Sequence, residues 1–184
     1  MPSVDRWVIQ QAVRLLADTD ARLKLEVNVS GESMADETLT QALEDELAAT
    51  GVDPSRLIVE VIEQTAMARI DETRRFAEEV KRLGCGFALD DFGAGFGSFY
   101  YLKFLPFDYL KIDGDFIQSL PVNRTDQLVV QAVADIARGL GKRTIAEFVG
   151  DDDTLALLQD CGVDFAQGYY FGRPGPADQL AIAR

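Results

Sequence analysis

Three short stretches of this chain share one pattern. RLGCGFALD, GLGKRTIAE and QDCGVDFAQ each end a helix-like run near a glycine, pass into an apolar stretch and close on a polar side chain. Glycine supplies the left-handed residue that commonly ends a helix. A short apolar run behind such a stop reads as a buried strand. Successive strands joined through helices pair in parallel, and the crossover is right-handed. A repeated βα unit therefore limits the chain to an α/β architecture with a parallel sheet.

The unit can be followed from end to end. Residues 5–17, DRWVIQQAVRLLA, are expected to form a helix with Asp5 as N-cap and with Trp7, Ala12, Val13 and Leu16 on one face. KLEVNVS (24–30) alternates as a strand does. A helix over about 36–49 carries Leu39, Leu43 and Leu47 and stops at Gly51. Strand RLIVEVIE (56–63) is followed by a helix over 66–83 that buries Ile70, Phe76, Val80 and Leu83. Strand CGFALDD (85–91) follows, then strand FDYLKID (107–113). A helix near 125–140 presents Leu128, Val129, Ala132, Val133 and Ile136. Strand KRTIAEFV (142–149), helix TLALLQDCG (154–162) and strand VDFAQGYYF (163–171) complete the series. No linker or low-complexity segment interrupts it, so residues 1–184 read as one domain.

Composition removes several kinds of chemistry. The 184 residues contain no histidine. Histidine-based zinc sites and Ser-His-Asp triads are therefore excluded. A net charge of −13 argues against duplex nucleic acid as the partner, because duplex binders need basic patches. No apolar run is long enough to span a bilayer, and MPSVDRW lacks a signal-peptide pattern. Two cysteines, Cys85 and Cys161, fit a reducing compartment better than a disulfide framework, so a cytoplasmic location is expected.

The polar strand endings are Asn28, Glu60 with Glu63, Asp90 with Asp91, Lys111 with Asp113, Glu147, and Gln167. In α/β barrels the active site lies at the C-terminal ends of the strands. A ring of strands would gather these groups although they are far apart in sequence. One Asp-Asp pair alone reads as a solvated turn, and one acid at a strand end reads as a helix cap. Recurrence on successive strands points instead to a shared cation site. Adjacent carboxylates repel and raise each other's pKa unless a cation neutralises them. Oxygen ligands favour Mg²⁺, Mn²⁺ or Ca²⁺.

Six segments, in order, carry a family resemblance: VNVSG (27–31), LIVEVIE (57–63), LDDFGAGFGSF (89–99), YLKFLPFDYLKID (101–113), TIAEFV (144–149) and DFAQGYYFGRP (164–174). On these motifs the chain resembles the EAL domain family, bacterial phosphodiesterases that linearise cyclic di-GMP. The resemblance implies a TIM-like (β/α) barrel, incomplete at its N-terminus, with two Mg²⁺ or Mn²⁺ ions. It implies Asn28, Glu60 and Asp90 as ligands of the first ion. Asp90 would bridge to the second, with Asp91 beside it. Glu147 would act on that ion or as a base, and Lys111 would orient the attacking water. Gln167 would help hold the water or nearby carboxylates. Glu63 would anchor the loop that bears Gly93, Gly95 and Gly97. The aromatic cluster Phe96, Phe99, Tyr100, Tyr101 and Phe104 is expected to pack or to form a dimer surface.

Two departures from the family pattern stand out. No Glu-Ala-Leu triplet precedes Asn28, so the first strand and helix of the family, with a glutamate ligand, are expected to be missing. Gly150 occupies the place of a glutamate that contacts substrate. The expectation is hydrolysis of cyclic di-GMP to linear pGpG, impaired in this chain. The alternative is a degenerate EAL domain that binds cyclic di-GMP or a protein partner. A homodimer, and sensory or GGDEF-type domains upstream in a longer protein, are the expected associations.

Overall fold

The computed structural model describes residues 2–93 and 99–176. Gly95, Gly97 and Phe96, singled out above, lie outside the described residues. The elements, in chain order, are α1 (Pro2–Ala17), β1 (Leu25–Asn28), α2 (Glu37–Thr50), β2 (Leu57–Ile62), α3 (Glu63–Ala68) and α4 (Ile70–Arg82). Then come β3 (Gly86–Phe92), β4 (Tyr109–Ile112), α5 (Gly114–Gln118), α6 (Arg124–Gly139), β5 (Arg143–Ala146), α7 (Asp152–Asp160) and β6 (Phe165–Ala166). Strand order in the sheet equals chain order. Sequential order is the topology of a βα barrel, whereas a doubly wound sheet reverses its order at a switch point.

The chain divides into two compact units. One comprises residues 2–88, 99–106 and 175–176. Within it β1 pairs in parallel with β2, and Asn28 lies opposite Glu60. Five consecutive residues of β2, Leu57–Val61, are buried, as expected of a parallel strand covered on both faces. Helix α2 starts where Asp36 accepts the backbone N–H of Thr38 at 3.0 Å, and it ends at Gly51 with φ +68°. Its Leu39, Leu43 and Leu47 are buried as their spacing predicts.

The second unit comprises residues 89–93 and 107–174. Here β4 pairs in parallel with β5, and β5 with β6. Side chains cap each helix: Asp113 caps α5, Asn123 caps α6 and Asp151 caps α7. Each accepts a backbone N–H that the first helical turn leaves without an intrahelical partner.

Several expectations are corrected. Asp5 lies inside α1 rather than capping it, and Trp7 is 60% exposed, its place in the buried face being taken by Ile9. The helix expected over 66–83 is two helices, broken at Arg69 (φ −132°, ψ 46°). Thr73 and Ala77 join Phe76 and Val80 in its buried stripe, while Ile70 and Leu83 are half-buried. On α6 the buried residues are Val130, Val133, Ala134 and Ala137, so only Val133 of the expected face is right. Both candidate faces of α6 are apolar, and the sheet selects between them. The last strand shrinks from nine expected residues to Phe165–Ala166.

Candidate metal centre

Within the second unit, the ends of β3, β4 and β5 converge on one ammonium group. Lys111 on β4 is 3% exposed. Its Nζ lies 3.2 Å from Asp90 Oδ1 and 2.8 Å from Glu147 Oε1. Asp90, Asp91 and Glu147 can each offer one oxygen, with all three atoms within 4.8 Å of one another. Glu147 follows directly on β5, whose Ala146 pairs with Ile112 of β4.

In a regular strand two successive side chains point to opposite faces. Asp90 and Asp91 nevertheless reach the same cluster. Asp91 has φ +54°, a left-handed conformation that an L-residue adopts at a cost of about 1–2 kcal/mol. That reversal turns its carboxylate back towards Asp90. The other non-glycine residue with positive φ among the described residues is Phe148, φ +56°, immediately after Glu147. Its ring lies against Gly114, where any Cβ would collide with it. Backbone strain of this kind collects where surrounding structure fixes a functional geometry.

The electrostatics match the geometry. The Asp91 carboxyl is pushed above the usual carboxylate range by burial first, and then by Asp90, Asp113 and Glu147, with Lys111 opposing. Asp90 Oδ1 is buried without a well-directed hydrogen bond, although the Lys111 ammonium is within ion-pair distance. The Lys111 ammonium pairs with two of these carboxylates, Asp90 and Glu147, and Asp91 adds a third negative charge to the cluster. An all-oxygen donor set with surplus negative charge fits a hard divalent cation such as Mg²⁺ or Mn²⁺.

The first unit holds the other expected ligands. Glu60 is buried on β2, and Asn28 at the end of β1 donates its Nδ2–H to Glu60 Oε1. The backbone continues the pairing, with Val29 N–H donating to the Glu60 carbonyl at 2.9 Å. Glu63, the first residue of α3, is also buried. It accepts a 2.5 Å hydrogen bond from the Tyr101 hydroxyl. Burial and this carboxylate push the Tyr101 phenol pKa well up. Tyr101 belongs to the turn Phe99–Lys103, so Glu63 ties the end of β2 to the segment that follows residues 94–98.

Tyr101 leaves the aromatic cluster for the interior, whereas Phe99, Tyr100 and Phe104 are exposed. Asp113 is the cap of α5, accepting the Asp115 N–H at 2.7 Å. Gln167 is exposed, and its backbone makes the ordering contacts, donating to Ala146 and accepting from Val149. Space around Gly150 is open, and a Cβ there would meet nothing within 4 Å.

Comparisons with known proteins identify the family. The family model described as "EAL domain" matches residues 1–174. The chain belongs to the EAL domain family. It is 35% identical over 179 residues to the cyclic di-GMP phosphodiesterase PdeB of Shewanella oneidensis, a match covering 96% of this chain and 21% of PdeB. The chain thus spans about a fifth of that relative's length. Among solved structures, the PaMucR phosphodiesterase in complex with c-di-GMP matches at TM-score 0.89 and 34% identity, over 97% of this chain and 74% of that one. The Xanthomonas citri FimX EAL domain in complex with c-diGMP matches at TM-score 0.92 and 26% identity, over 99% and 73%.

Proposed function

We propose that this protein hydrolyses cyclic di-GMP to linear pGpG with divalent cations, for which Asp90, Asp91 and Glu147 in the second unit and Asn28 and Glu60 in the first are the candidate ligands. The observation that carries this reading is the cluster of Asp90, Asp91 and Glu147, with ligand oxygens within 4.8 Å of one another and Lys111 paired to two of them. Membership of the EAL family, and the phosphodiesterase names of its relatives, supply the substrate class. Divalent ions at such a site stabilise charge on phosphoryl oxygens and make water nucleophilic near neutral pH.

The residues divide the remaining work. Asp90, which pairs with Lys111 and lies beside Asp91, would be the ligand common to two cations. Lys111 is held by two carboxylates, so its ammonium is fixed rather than free to swing, which suits a group that orients water. Glu147 is the candidate to accept the proton that the attacking water gives up. In the overall reaction water oxygen bonds to phosphorus, the P–O3′ bond breaks and O3′ leaves with a proton. Gln167 acts from the rim, where its exposed amide can meet the water or the ligand. Glu63 holds Tyr101, in the segment that follows residues 94–98. The exposed side chains Phe99, Tyr100 and Phe104 suit a homodimer contact, testable by sedimentation at increasing protein concentration.

Gly150 favours a second reading. If the glutamate usual at this place hydrogen-bonds the ligand, its absence weakens binding by about 1–3 kcal/mol, and the domain then senses cyclic di-GMP without turning it over. Chromatography of cyclic di-GMP incubated with protein and Mn²⁺ separates the two. Linear pGpG that disappears in Asp90→Asn and Glu147→Gln supports hydrolysis. Calorimetric binding without product supports the sensing role. Neither binding nor product refutes both.

A further inference from the structure

We infer that Asp5, on α1, is a positioning residue for Asn28: it clamps the loop that leaves β1 and so fixes where that ligand points. The inference rests on the metal-dependent reading above.

Asp5 is 7% exposed and carries a carboxylate. No Lys or Arg side chain pairs with it among the described residues. Its Oδ2 accepts three hydrogen bonds instead, from the Ser30 backbone N–H at 3.0 Å, the Ser30 hydroxyl at 2.6 Å and the Ser33 hydroxyl at 2.5 Å. The two hydroxyls also lie 3.0 Å apart, so the loop is held as a unit. Burial works against the charged form, yet these donors outweigh it and keep the carboxyl below its ordinary range. An N-cap needs only an exposed side chain at a helix start. This carboxylate is buried within the helix and directed 25 residues along the chain, at a loop beginning just after Asn28.

The consequence for Asn28 follows from the chain's short reach. Val29 is tied to the Glu60 carbonyl on one side, and Ser30 to Asp5 on the other. Asn28 is itself exposed, so packing does little to set its rotamer. Its direction depends on its hydrogen bond to Glu60 and on the backbone held by these two ties. Groups that support metal ligands at second hand typically change affinity 10–100-fold when removed.

The test is Mn²⁺ affinity, measured by calorimetry without nucleotide. Asp5→Asn should weaken Mn²⁺ binding about tenfold, because a neutral amide oxygen holds the three donors of Ser30 and Ser33 less strongly than a carboxylate does. Ser33→Ala, which removes one donor and leaves the carboxylate, should weaken it less and serves if Asp5→Asn fails to fold. Asp5→Asn combined with Asn28→Ala should bind no more weakly than Asn28→Ala alone, since both act through one ligand. Multiplying losses in the double variant would overturn the inference, as would unchanged affinity in both Asp5→Asn and Ser33→Ala despite a lower urea midpoint. Absence of Mn²⁺ binding by the unsubstituted protein would overturn the metal reading itself and this inference with it.

Discussion

Lys111→Met removes a charge and leaves a straight side chain of similar reach. The ammonium lies 2.8 Å from Glu147 and 3.2 Å from Asp90, and the three side chains are only 4%, 15% and 11% exposed. At an effective dielectric of about 20 each contact is a gross attraction of about 5 kcal/mol, largely offset by the desolvation of burying the charges. Removing the ammonium leaves that desolvation in place. It also exposes the carboxylates to each other: two ionised oxygens within 4.8 Å repel by about 3 kcal/mol or more on the same scale. The expected loss is about 3–5 kcal/mol, as for other buried pairs broken on one side. For a chain of this size that lowers the melting temperature by roughly 6–20 °C. Urea unfolding in EDTA measures it directly. Mn²⁺ should then restore more stability to the variant than it adds to the parent, because a cation replaces the missing charge. Saturation at about 100 times the dissociation constant contributes about 2.7 kcal/mol. A variant that loses less than about 1 kcal/mol, or that gains no more from Mn²⁺ than the parent, would refute the view of Lys111 as the charge holding these carboxylates together.

Asp91→Asn should raise metal-free stability at pH 7. The Asp91 pKa is raised in the folded state, so its ionisation penalises the fold as pH climbs past the unfolded value near 3.9, and the penalty is complete above the folded value. The electrostatic part of the gain should vanish in urea titrations below about pH 3.9, leaving only the ease with which asparagine adopts positive φ; a difference independent of pH would contradict the assignment. Phe148→Gly should stabilise the fold by about 0.5–1 kcal/mol, since glycine adopts φ +56° without steric cost and the ring lost is 61% exposed. A loss above about 1 kcal/mol in urea unfolding would show that the seat of the ring on Gly114 outweighs the strain.

How much of this was legible in the sequence depended on the range of the interaction. The βα repeat, the strand positions and the end of α2 at Gly51 follow from local rules: apolar periodicity, and backbone conformations that glycine alone adopts freely. Asp90, Asp91, Lys111 and Glu147 were visible as polar endings to apolar strands, because a parallel strand brings its last residues to one edge whatever the remaining contacts are. Which face of α6 would be buried was not visible, since Leu128, Val129, Ala132 and Ile136 on one side and Val130, Ala134 and Ala137 on the other are all apolar and only packing chooses. The division at Arg69 and the short β6 were likewise settled by the fold. The left-handed turn at Asp91, which gathers both aspartates, breaks the local preference of a strand and is sustained by its surroundings. Asp5 read as an ordinary helix cap, and Tyr101 as one aromatic among several. Their roles rest on hydrogen bonds to Ser30, Ser33 and Glu63, residues 25 to 38 positions away. Sequence patterns record what neighbours along the chain prefer. A buried carboxylate's donors come from wherever folding brings a hydroxyl or an N–H within reach, so only the tertiary structure could assign them.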